Sequence, residues 1–159
     1  RCEDYADRFG VEFHAGEKPW GRVKADVYMP CATQNEIGLE DAKRMIEEGT
    51  SKLLIEVANM PTKAEAVEEL QKAGFMIAPS KAVNAGGVAV SALEMSQNAM
   101  KLSWTEEEVD EKLKKIMKNI FNNIDSAAKK YGMDGNLIAG ANIAGFLKVA
   151  EAMLDEGIF

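Results

Sequence analysis

A chain of 159 residues, 47% apolar and 28% charged, is long enough to bury one core and too apolar to be a disordered segment. Its formal net charge of -7 excludes a protein built to grip nucleic acid or an anionic membrane surface, since both are held mainly by clustered Lys and Arg. Two cysteines, with no Cys-x-x-Cys, and one histidine are too few for a thiolate and imidazole zinc site.

The chain opens at Arg1, without a Met and inside an amphipathic pattern, which predicts that sequence precedes it. No signal-peptide pattern follows, and no uninterrupted apolar run approaches the roughly 20 residues of a membrane-spanning helix. With only two cysteines a reducing cytoplasm is the expected location, and no membrane partner is expected. Three short apolar runs, Val23 to Met29, Leu53 to Val57 and Phe75 to Ala78, read as parallel strands, because they alternate with helical patterns. Leu39 to Glu48 repeats apolar residues at helical spacing, and Thr62-x-x-Glu65 after Pro61 reads as a capping box opening a helix to Ala73.

Beyond Ala78 the strand signal ends. Gly86-Gly87 leads into a helix from Val88 to Met100, and Thr105-x-x-Glu108 is a second capping box opening a long helix to about Tyr131. Val109, Leu113, Ile116, Met117, Ile120 and Ile124 give that helix one apolar face, while Lys112, Lys114, Lys115 and Lys118 read as its solvated face. A last helix spans roughly Ala141 to Asp155, with Ile143, Phe146, Leu147, Ala150 and Leu154 on one side. The fold class is α/β.

Ligands of an open parallel sheet bind outside the carboxyl ends of its strands, so the residues just past each strand matter most. Here they are Pro30-Cys-Ala-Thr-Gln-Asn35, Ala58-Asn-Met-Pro61 and Pro79-Ser-Lys-Ala-Val-Asn-Ala-Gly-Gly87. Small residues and uncharged hydrogen-bonding groups suit a flat polar ligand and do not suit acid–base catalysis. Turn chemistry alone produces the same residue types. The two glycines before a helix leave N–H groups open to a carboxylate, with Ser91 on the same helix face as a further donor; equally, they permit a tight helix entry with Ser91 bonding its own backbone. Cys31 reads as a buried inert thiol without an identifiable base, and His14 as a loop residue. The nine methionines read as core filler, and Gly140 to Gly145 as a packing contact rather than a ligand loop. No Gly-x-Gly step occurs, so a dinucleotide pyrophosphate turn is not in this chain.

Gly16-Glu-Lys-Pro-Trp20, Pro30-Cys-Ala-Thr-Gln-Asn-Glu36, Glu56-Val-Ala-Asn-Met-Pro61, Pro79 to Gly87 and Leu93-Glu-Met-Ser-Gln-Asn98 together resemble the hexameric bacterial-type glutamate dehydrogenases. Leu102-Ser-Trp-Thr105 and Gly140 to Phe146 match too, so the resemblance covers essentially the whole chain in order. It implies a partial Rossmann-like parallel sheet, residues 1–85 forming the second half of the dinucleotide-binding domain, and a pivot and C-terminal helices, residues 86–159, packing toward an N-terminal domain. It also implies reversible oxidative deamination of L-glutamate to 2-oxoglutarate and ammonia with NAD or NADP, by a homo-hexamer. The implied cofactor contacts are Ala32, Thr33, Asn59 and Asn84, and the implied substrate contacts are Val88 and Ser91. The family's catalytic lysines and aspartate have no counterpart here, so this chain alone is expected to be inactive. Leucine and phenylalanine dehydrogenases share the Asn-Ala-Gly-Gly-Val-like turn, but Pro30 to Glu36, Leu93 to Asn98 and Ser91 favour the glutamate enzymes. A non-catalytic ligand-binding or assembly module is the alternative of a different class.

Overall fold

A computed structural model describes residues 1–157; the last two positions of the 86–159 segment lie outside the described residues. The elements run α1 (Cys2–Phe9), α2 (Leu39–Glu48), β1 (Leu53–Ile55), α3 (Ala64–Lys72), β2 (Met76–Ala78), α4 (Ser80–Val83), α5 (Ala85–Met100), α6 (Glu106–Lys130) and α7 (Leu137–Glu156). β1 and β2 pair in parallel with Leu53 opposite Met76 and Ile55 opposite Ala78. The crossover between them is α3, as alternating strand and helix patterns require.

The predicted strand Val23 to Met29 shrinks to a single parallel bridge of Tyr28 with Leu54. Tyr28 donates its N–H to Leu53 O at 3.0 Å and accepts from Ile55 N at 2.9 Å. Upstream, side chains take the sites a ladder would use: the Ser51 hydroxyl donates to Asp26 O at 2.6 Å and the Thr50 hydroxyl to Ala25 O at 3.3 Å. Val23, Val27 and Met29 are left exposed. An apolar run favours a strand but does not supply the partner main chain.

The core lies between this small sheet and the α2–α3 pair. Tyr28, Ile37, Met45, Leu54, Leu70, Phe75 and Ile77 form one buried cluster with Trp20 against its edge. Each fully buried Leu or Met side chain contributes about 1.5 to 3 kcal/mol. Gly21, at φ +67, lies against the main chain of Arg44 and Met45, so a methyl group there would overlap α2. Asp41 opens α2 by accepting the Gly38 N–H at 2.9 Å, and Gly49 at φ 72 ends it. At that end the Tyr28 hydroxyl donates to Glu48 at 3.0 Å. Burial, then the Glu48 hydrogen bond, raises the Tyr28 phenol above its ordinary pKa, and the Thr50 hydroxyl bond holds the Glu48 carboxyl below the usual carboxylate range.

The Thr105 capping box forms as its sequence predicts: Thr105 Oγ1 accepts Glu108 N–H at 3.3 Å and Glu108 Oε2 accepts Thr105 N–H at 2.8 Å. The Thr62 box does not. Thr62 is drawn into a parallel bridge with Ile37, flanked by Ile37 N to Pro61 O at 2.9 Å and Lys63 N to Ile37 O at 3.0 Å, so it is extended and buried, and α3 starts later with Lys63 as N-cap. α7 begins earlier than predicted, because Asn136 Oδ1 accepts the Ala139 N–H at 3.0 Å.

α7 packs on α6 through Gly140, and is the helix of greatest mean hydropathy, 1.5 over its apolar window, long enough by length and composition alone to cross a membrane. That property was not expected from the sequence; Asn142, Lys148 and Glu151 interrupt the apolar run. The apolar face of α6 is half-buried, with Ile124 buried, while Phe146, Met153 and Leu154 of α7 and Val88 and Met95 of α5 are exposed.

Candidate functional site

The loops that follow Tyr28 and β1 are stitched together by main-chain hydrogen bonds. Ala58 N donates to Pro30 O at 2.9 Å and Asn35 N donates to Met60 O at 3.0 Å. Ala32 and Thr33 lie between Pro30 and Asn35 on one loop, and Asn59 lies between Ala58 and Met60 on the other, so the structure brings these three candidates to one rim, all exposed. Asn35 and Met60 have φ of 57 and 48, in the left-handed region. Asn tolerates it through its short polar side chain; for Met it is a strained conformation of the kind that clusters at ligand sites. Sequence reasoning did not single out either residue, and the Asn in Gln34-Asn35-Glu36 was the available signal.

The third strand end departs from prediction. The segment after Pro79 is not a loop: α4 forms one helical turn, and Asn84, at φ -82 and ψ 0, joins it to α5. Asn84 donates its N–H to Ser80 O at 2.9 Å and accepts from Gly87 N at 3.3 Å, leaving its side chain on the surface. Gly86 and Gly87 therefore sit inside the first turn of α5 rather than before it. Gly86 faces α6, where an added methyl would meet Met117 Sδ at 3.5 Å, and Gly87 faces open space. Of the first-turn N–H groups of α5, that of Gly87 is already given to Asn84 O.

Val88 is 70% exposed, and the Ser91 hydroxyl donates to Gly87 O at 3.3 Å, the self-bonding of the helix that the sequence left open. Glu56, at the end of β1, is a buried carboxylate that the sequence reading passed over; its Oε2 accepts the buried Ser80 N–H at 3.1 Å. A cleft of about 440 Å³ opens beside it, lined by Asn35, Met60, Thr62 and Ser80 among others, and includes none of the six predicted contacts.

Cys31 is exposed, not buried, with its thiol donating to Met29 O at 3.3 Å. The polar environment of a strand-end loop, rather than an apolar pocket, explains the difference. His14 is a surface residue 3.6 Å from Glu12. Among the described residues no three His, Cys, Asp or Glu side chains cluster as a metal site would need. The arrangement offers amide and hydroxyl hydrogen bonding on a solvent-facing rim and no acid–base pair.

A profile of the Glutamate/Leucine/Phenylalanine/Valine dehydrogenase family matches residues 2–157. The NAD-specific glutamate dehydrogenase of Clostridium symbiosum is 56% identical over 99% of this chain, and the NADP-specific glutamate dehydrogenase of Haemophilus influenzae is 50% identical over 100% of it. This chain spans 35% of the length of each. A solved glutamate dehydrogenase superposes with a TM-score of 0.94 at 56% identity, over 99% of this chain and 35% of that one. The hetero-hexameric glutamate dehydrogenase of Thermus thermophilus, at 22% identity and a TM-score of 0.81, shares the fold. With a family match across nearly its whole length and a parallel sheet whose strand ends carry the matched motifs, the chain belongs to the Glutamate/Leucine/Phenylalanine/Valine dehydrogenase family.

Proposed function

We propose that this chain works as the C-terminal third of a glutamate dehydrogenase that converts L-glutamate to 2-oxoglutarate and ammonia, reversibly, with NAD or NADP. Residues 1–85 complete a dinucleotide-binding domain and residues 86–159 pack toward an N-terminal domain, in a homo-hexamer of the cytoplasm. The observation that carries the reading is the rim of Ala32, Thr33 and Asn59, held by Ala58–Pro30 and Asn35–Met60 hydrogen bonds. A nicotinamide carboxamide needs both a donor and an acceptor, which an exposed Asn amide supplies, and small Ala32 admits close approach of a ribose. These residues fit the nicotinamide half of the cofactor; the pyrophosphate turn has no counterpart here.

In this reading Ala32 and Thr33 flank the ribose, Asn59 and Asn84 orient the ring, and Val88 and Ser91 contact the glutamate side chain. When bound, the nicotinamide supplies hydride acceptance. This chain's part is binding and orientation, since it holds no paired acid and base at the rim. Purified alone, it should form no NAD(P)H from glutamate; saturable turnover would refute the division of labour.

The direct test is Asn84→Ala in the intact enzyme. Loss of orientation costs turnover on the order of a hundredfold for about 1 Å of misplacement, whereas cofactor affinity falls less. A destabilised variant with full turnover per folded subunit would reduce Asn84 to a helix joint and remove the cofactor role.

A further inference from the structure

Two carboxylates are buried among the described residues, Asp41 and Glu56, each 7% exposed. Asp41 is accounted for: it caps α2 and receives Arg44 and Lys18. Glu56 has no such local task. It stands just past the end of β1, three positions before Asn59, and it reaches across to the next strand end. Its main-chain N–H donates to Ala78 O at 3.1 Å, and its side-chain Oε2 accepts the Ser80 N–H at 3.1 Å.

The Ser80 N–H opens α4, which has four residues and is too short to persist without tertiary support. Pro79 precedes it, and makes no side-chain capping hydrogen bond. Glu56 therefore supplies the cap from another strand, and its negative charge at a helix start is favourable. The turn it holds closes through Asn84 N to Ser80 O at 2.9 Å, and Asn84 is the joint into α5. One buried side chain thus links the loop bearing Asn59 to the turn bearing Asn84.

We infer that Glu56 is a positioning residue: by bonding Ser80 it fixes the spacing between the Asn59 and Asn84 amides and so the orientation of the nicotinamide. This rests on the cofactor reading above. Glu56 does not touch the ring in this account; it acts through α4.

The test uses the intact enzyme and three variants. Glu56→Gln keeps the acceptor and the volume. Glu56→Met keeps the volume and loses the acceptor. Ser80→Pro removes the donor at a first helical position that tolerates proline, after Pro79 at φ -74 and ψ 145, an extended conformation compatible with a following proline. Without cofactor, hydrogen exchange at the Asn84 amide should quicken about tenfold or more in the Met and Pro variants and stay near wild type in the Gln variant. Turnover per folded subunit should fall about tenfold or more in the same two variants, recover in Gln, and combine with Asn84→Ala less than additively. If Glu56→Met does not fold, Ser80→Pro answers the same question from the donor's side.

Quicker exchange with unchanged turnover would make Glu56 a structural cap only and overturn the inference. Unchanged exchange would overturn it by showing that the bond does not hold α4. If Asn84→Ala itself leaves turnover intact, the cofactor reading fails and the inference with it, while the exchange data still report whether Glu56 holds the turn.

Discussion

Gly140 gives the sharpest stability prediction, because α6 and α7 meet at its bare backbone. A methyl group there would overlap the carbonyl oxygen of Ile124 and lie 3.1 Å from Ala128 Cβ. Two effects oppose. Replacing a helical Gly by Ala gains about 1 kcal/mol of propensity. Overlap with a main-chain oxygen cannot be relieved by a rotamer change, so α7 must move off α6, at an overpacking cost of about 1 to 3 kcal/mol. The helices would separate along the enclosed seam of Ile124, Ala127, Ala128 and Leu137, losing contacts beyond the site itself. Overpacking less propensity leaves a cost of about 0 to 2 kcal/mol, and the lost seam contacts carry the net for Gly140→Ala to destabilisation.

Gly145, in the same helix, is the internal control, since an added methyl there meets nothing within 4 Å. Gly145→Ala should stabilise by about 1 kcal/mol. In a chain of this length about 1 kcal/mol moves the melting midpoint by roughly 3 °C. Thermal unfolding of the two variants followed by circular dichroism should give shifts of opposite sign, down for Gly140 and up for Gly145. Upward shifts in both would refute the close-approach argument and leave helix propensity as the sole term.

Ser91→Ala in the intact enzyme should raise KM for glutamate severalfold and leave KM for the cofactor near wild type, the proposed bond to a carboxylate outweighing the lost 3.3 Å bond to Gly87 O; a change confined to the cofactor would move Ser91 to the other subsite. Thr50→Val should raise the Glu48 pKa toward its ordinary value, since the Thr50 hydroxyl is the largest cause of its depression. A depressed carboxylate stabilises the fold above its unfolded pKa and loses that contribution as pH falls through the folded one, so the variant should also be less acid-sensitive; an unmoved Glu48 carboxyl resonance in an NMR titration would contradict this. Tyr28 has the opposite sign. Its raised phenol contributes stability below the unfolded pKa and loses it as pH rises through the folded value, and Tyr28→Phe should flatten that alkaline limb.

The two strands that pair in a ladder, Leu53–Ile55 and Met76–Ala78, were legible because their apolar runs are bounded by helices with clear periodicity. Val23 to Met29 carried the same signal, yet its ladder sites at Ala25 and Asp26 go to Thr50 and Ser51, hydroxyls distant in sequence. Thr105 and Thr62 open identical capping patterns, and only the pull of Ile37 on Thr62 separates them, again a tertiary contact. The strand-end candidates were legible as residue types, and Ala32, Thr33 and Asn59 do share a rim. Glu56 was not, because a glutamate in a sequence reads as solvated until the Ser80 N–H is brought beside it.

The short Tyr131–Asn136 turn between α6 and α7 has a kinetic consequence. Those helices meet through nearby residues, whereas β1 finds β2 and the Tyr28 main chain finds Leu53 only after larger loops close. Closing larger loops before any contact rewards them slows folding, so the helical hairpin is expected to mature first, with pulse-labelled exchange protecting Ile124 to Ala128 before Leu54 and Ile77. A ribosome delivers the chain in the other order. The sheet segments emerge early and wait, and their apolar runs stay uncovered for the time it takes the slower pairing to close, which makes Val23 to Met29 the stretch most exposed to mispairing during synthesis.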